Sequence, residues 1–136
     1  MLSPGYKSLG VFNITTAGTQ VGDWVTGLEG CLSLLTQLRM VFGSGGATVR
    51  AYIQSSADDG NTPIDIACAL FTTASENAVF NFSALTPKTT QITPVDGALT
   101  DDTALDGAIS DRVRIKIVTT GTYAGSTQLV CSAVAR

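Results

Sequence analysis

The chain contains no histidine, which excludes Ser-His and Cys-His nucleophile pairs, His-ligated zinc and the usual general base near neutral pH. Carboxylates, cysteines and arginines are the groups left to do chemistry. Asp58-Asp59 and Asp101-Asp102 are adjacent pairs in turn-rich sequence, where aspartate is favoured because it hydrogen-bonds nearby backbone. A glycosidase needs two carboxylates held apart across a cleft, and neither pair specifies that. The Asp-x-Asp-x-Asp-Gly spacing of a calcium loop is also absent. Cys31, Cys68 and Cys131 lack metal-ligand spacing, and an odd count argues against a disulfide framework. They read as small apolar strand residues. Gly43-Ser44-Gly45-Gly46 lacks the Lys-Ser/Thr ending of a phosphate loop and reads as a turn between strands. The residues therefore predict no catalytic centre, no metal and no cofactor.

What remains is binding. Arg112, Arg114 and Lys116 alternate with Val113, Ile115 and Ile117, as on any half-exposed strand. No aromatic residues are interleaved with them for base stacking. The net charge of −3 supplies no general attraction to nucleic acid or anionic lipid. Asp96, Asp101, Asp102, Asp106 and Asp111 cluster in a segment whose one base is Lys88. That segment, 85–111, has no sustained periodicity and is broken by Pro87 and Pro94. Structureless stretches of this length usually bind something or stay mobile. It is the leading interaction candidate, with an ordinary surface loop as the alternative.

The elements that must position these residues are strands. From Leu28 to Thr73 apolar residues alternate with polar ones in three runs separated by turn signals. Leu28, Leu32, Leu34, Leu38, Met40 and Phe42, then Ala47, Val49, Ala51 and Ile53, then Ile64, Ile66, Cys68 and Leu70, are expected to face a core. Read as a hairpin, the first two runs set Met40 opposite Val49 and Arg39 opposite Arg50. Like charges so placed repel unless an acid lies between them or a partner supplies one. Ala78, Phe80, Phe82 and Ala84 continue the core parity.

Leu9 to Thr16 and Thr127 to Ala135 read as first and last strands, and Met1 to Ser8 as a flexible arm. The sum is about eight mainly antiparallel strands without a convincing helix, which predicts an all-β, single-domain β-sandwich or jelly roll over 9–136. A chain of 136 residues with 44% hydrophobic content can bury a real core. Its charged fraction of 14% is low, as in proteins whose surfaces are covered by neighbours. No apolar run is long enough for a spanning helix, and the first residues lack the pattern of a signal peptide. No membrane or nucleic-acid partner is expected.

Three stretches resemble small virion proteins of tailed phages and prophages. They are Val49–Ser56 running into Asp59-Gly60-Asn61-Thr62 and Ile64-Asp65-Ile66-Ala67, then Asp111–Lys116, then Thr120–Thr127. The resemblance implies a non-enzymatic capsid decoration (cement) protein. Such a protein would be made in the bacterial host cytoplasm and carried on the virion's capsid surface. It would clamp the major capsid protein, commonly as a homotrimer. Under it, Arg39, Arg50, Arg112 and Arg114 would meet acidic partner surfaces, and the arm and the 85–111 segment with Asp96, Asp101, Asp102 and Asp106 would carry contacts. Two rivals remain: a phage neck or tail protein forming a ring, and a carbohydrate-binding module using Tyr6, Tyr52 and Tyr123.

Overall fold

In the computed structural model, described here for residues 4–136, the chain is all-β and folds as a sandwich of two antiparallel sheets. The four-stranded sheet contains β1 (Gly5–Asn13), β3 (Ser33–Val41), β7 (Glu76–Ser83) and β11 (Gln128–Ala135), in the order β1-β11-β3-β7. The five-stranded sheet contains β2 (Gly18–Val21), β5 (Thr48–Ser55), β6 (Ile64–Phe71), β8 (Thr103–Ala104) and β9 (Val113–Thr120), in the order β2-β9-β5-β6-β8. Two short strands, β4 (Ser44–Gly45) and β10 (Tyr123–Ala124), pair across one end.

Alternation builds the inter-sheet core. Leu34, Leu38 and Met40 of β3, Phe82 of β7 and Leu129 and Cys131 of β11 are buried from one side. Val49, Ala51 and Ile53 of β5 and Ile115 and Ile117 of β9 are buried from the other. Side chains of this size contribute about 1.5–3 kcal/mol each when fully removed from water. Leu28 is buried and Phe42, Ala78 and Phe80 pack on the core's edge as expected, whereas Leu32, Ala47 and Ala84 are exposed, because each lies one residue beyond the end of its strand, outside the sandwich.

Three expectations change. The arm extends no further than the strand that starts at Gly5, because Gly5–Ser8 already pair with β11 from Ala135 to Ser132. Residues 1–3 of the expected arm lie outside the described residues. The runs carrying Arg39 and Arg50 do not form a hairpin. The turn after β3 crosses between sheets, so Arg39 lies opposite Val130 and Asn77 while Arg50 lies opposite Leu70 and Val118. Gly43 permits that crossing: a Cβ there would sit 2.2 Å from the Gly125 carbonyl oxygen.

The third change concerns β6. Directly opposed residues share a face. Val49, Ala51 and Ile53 oppose Phe71, Ala69 and Ala67, so these face the core. Cys68 and Leu70 oppose Tyr52 and Arg50 on the outer side, and a register shift beside Ile53 sets Asp65 opposite Gln54 there. The outer face of β5 and β6 is nevertheless buried, from Ala51 to Ser56 and from Asp65 to Ala69. Segment 84–112 covers it.

Candidate interaction surfaces

The covering segment is pinned to the sheet by its own acids. Asp65 is fully buried, and both its oxygens are used. Oδ2 accepts from the backbone N–H of Gly97, Ala98 and Leu99 at 2.8, 2.8 and 3.1 Å, and Oδ1 accepts from Gln54 Nε2 at 2.8 Å. Gln54 Nε2 also donates to Asp96 at 2.7 Å, and its Oε1 accepts from Arg114 Nε at 2.9 Å. Two carboxylates on one side and a guanidinium on the other fix the orientation of that amide. Arg114 stacks on Trp24, 4.4 Å from the ring centre, and Gly60 leaves room for the indole.

The remaining predicted residues are engaged in the same way. Arg50 grips Asp101 with two hydrogen bonds of 2.8 and 3.2 Å, which holds that carboxyl below its ordinary range. Lys116 lies 2.9 Å from Asp96 and lowers it similarly, with help from Gln54. Asp102, in the left-handed region, accepts from the Leu70 N–H at 3.0 Å. Asp106 accepts from the Ser83 and Gly107 N–H groups at 2.6 and 3.0 Å, and these bonds lower it. Arg112 bridges Asp111 and Asp59 at 3.1 and 2.8 Å.

Arg50, Arg112, Arg114, Asp96, Asp101, Asp102 and Asp106 are therefore all engaged within the chain, by neighbouring side chains and by backbone. Their first role is to close the loop over the sheet. Exposed pairs of this kind contribute little individually. Sequence reasoning missed Asp65 and Gln54, the centre of the network. The signal present was Asp65 in a run, Ile64–Phe71, that is otherwise apolar without alternation.

Burial also defines two of the thiols, Cys68 beneath the loop and Cys131 in the inter-sheet core. Burial pushes Cys68 up to about 12, and the Asp101 carboxylate 3.7 Å from its sulfur adds to the rise. Burial alone raises Cys131 to about 12. The ordinary value is 9.0, so thiolate at pH 8 falls by about a thousandfold at both positions. In the folded protein these two thiols are expected to be silent to a thiol reagent over hours and to react at once in denaturant. Fast labelling of either in the native state would contradict this burial. Tyr52 and Tyr123 are buried as well, and Tyr123 donates to the Thr72 carbonyl at 2.7 Å, so neither offers a stacking platform for a sugar.

The second surface is the outer face of the four-stranded sheet, which no segment among the described residues covers. Tyr6, Val11, Leu35, Val41 and Val79 are all exposed there, Tyr6 at 70% and Val79 at 57%. The cross-strand rows are Tyr6, Val134, Leu35 and Asn81, then Ser8, Ser132, Gln37 and Val79, then Val11, Val130, Arg39 and Asn77. Arg39 is the one charge in these rows, and it has no carboxylate partner among the described residues. Its neighbour Asn77 is engaged instead by Gln37 Nε2 at 3.4 Å.

These two surfaces belong to a β-sandwich with one self-covered face and one open face. No family model, curated protein or solved structure matches the chain.

Proposed function

We propose that this chain is a non-enzymatic structural protein of a phage virion, a capsid decoration protein that binds and stabilises the shell of major capsid protein and associates as a homotrimer. The observation that carries the reading is the contrast between the two outer faces. One sheet spends a segment of its own chain, 84–112, on covering itself. The other leaves Tyr6, Leu35 and Val79 in water with a lone arginine among them. Large apolar side chains gathered on one uncovered face of a small protein fit a contact with a partner. The strand and turn stretches that resemble phage virion proteins supply the kind of partner. Many weak contacts repeated over a shell add up to firm attachment.

The test is binding to expanded shells assembled from the cognate major capsid protein, followed by sedimentation and by the temperature at which the shells break. Saturable binding with a higher disruption temperature is expected, and a native mass of three subunits. Absence of binding would end the decoration reading. A native ring of six or twelve subunits would move the protein to the neck or tail.

A further inference from the structure

We propose that the outer face of β1, β11, β3 and β7 docks a β-sheet face of a different protein, one that presents a carboxylate to Arg39, and that a second copy of this chain does not occupy it. The inference rests on the reading that the chain works by docking, and it names the chemistry of the partner.

Size is the first argument. Four strands about 4.8 Å apart and about eight residues long span roughly 500 Å² in projection. That is most of one partner's share of a specific interface, about 800 Å². A sheet face carrying apolar cross-strand rows suits another sheet, stacked at about 10 Å.

Charge selects the occupant. The outward positions of these strands include no aspartate or glutamate. Glu76 stands at the rim of β7, in register with buried Met40. Arg136 lies at the opposite end, beside Leu35, Asn81 and Val134. Arg39 is on the third strand and third row, next to the centre. Two copies stacked face to face would bring two guanidinium groups within about 10 Å and strip water from both, with no acid on either face to offset it. A foreign face carrying one carboxylate in an apolar surround reverses that balance through a charge-assisted pair.

The Arg39→Glu variant of this same protein is a ready probe, because it presents the same face with a carboxylate in place. Arg39 is exposed and has no carboxylate partner among the described residues, so the variant is expected to keep the native melting temperature. Wild type and Arg39→Glu are mixed at about 100 µM and weighed by native mass spectrometry. The expected result is a species of doubled mass in the mixture and in neither protein alone. It should be lost when Val79→Lys is added to either chain, and weakened about tenfold or more by high salt. No association in the mixture overturns the proposal. So does doubling of the wild type alone that Val79→Lys abolishes, since a second copy would then hold the face.

Shell binding separates this inference from the decoration reading. Wild type and Arg39→Glu bound equally well to shells would leave decoration standing and remove the docking face. Association in the mixture with no affinity for shells would do the reverse.

Discussion

Replacing Asp65 by alanine is expected to lower the thermal midpoint by about 10–15 °C and to release the loop at Gly97–Leu99. The carboxylate is fully buried and accepts from three consecutive backbone N–H groups and from Gln54. Removing it leaves Gln54 Nε2 without this acceptor in the buried layer and three part-buried N–H groups of the loop without theirs. Breaking a buried charged hydrogen-bond set in this way costs about 3–5 kcal/mol. For a chain of 136 residues each kcal/mol corresponds to roughly 3–4 °C.

Asp65→Asn is the informative companion. One oxygen still accepts, but the amide NH2 now points at a donor, either Gln54 Nε2 or the N–H groups of 97–99. Gln54 cannot turn over to help, because its oxygen already serves Arg114. The asparagine variant is therefore expected to lose about half as much stability, again with faster hydrogen exchange at residues 97–99. A midpoint shift under about 3 °C for the alanine variant would show that the loop is held elsewhere.

This network marks the limit of what was legible in the sequence. Alternation in β3, β9 and β11 correctly gave the all-β class, because each strand there has one wet face and one dry face. Pairing was not legible. Gly43-Ser44-Gly45-Gly46 is turn chemistry whether the chain folds back within one sheet or crosses to the other, so local pattern sets Arg39 beside Arg50 although the two stand in different sheets. In β6 both parities are apolar, and period alone chose Cys68 and Leu70 over Ala67, Ala69 and Phe71 for the core. The acids of 85–111 were found by composition. What they bind was hidden, because Arg50 and Asp101 are 51 residues apart and Gln54 and Asp96 are 42 apart. Such partners are set by the fold and leave no local pattern.

The same acids predict how the protein meets low pH. Asp96, Asp101 and Asp111 are held below the ordinary carboxylate range chiefly by hydrogen bonds from Lys116, Arg50 and Arg112. Asp58 and Asp106 are lowered chiefly by hydrogen bonds from Thr62 and from the Ser83 N–H. A carboxyl whose folded value lies below its unfolded value of about 4 stabilises the fold fully above that pH. Its contribution disappears as pH falls through the depressed folded value. All five shifts have the same sign, so the losses accumulate in one window, from about pH 4 downward.

The chain has no imidazole to titrate between about pH 5 and 8, so the midpoint is expected to stay flat there. Below about pH 4 it should fall steeply, with exchange in 95–111 rising before exchange in β3 and β11. Salt divides the contributions. Arg50–Asp101 and Lys116–Asp96 are part-exposed ion pairs and should weaken near 1 M salt, whereas Asp106 on backbone N–H groups should not. A midpoint that holds unchanged to about pH 2.5, or one that already falls near pH 6, would mean that these carboxylates do not secure the loop.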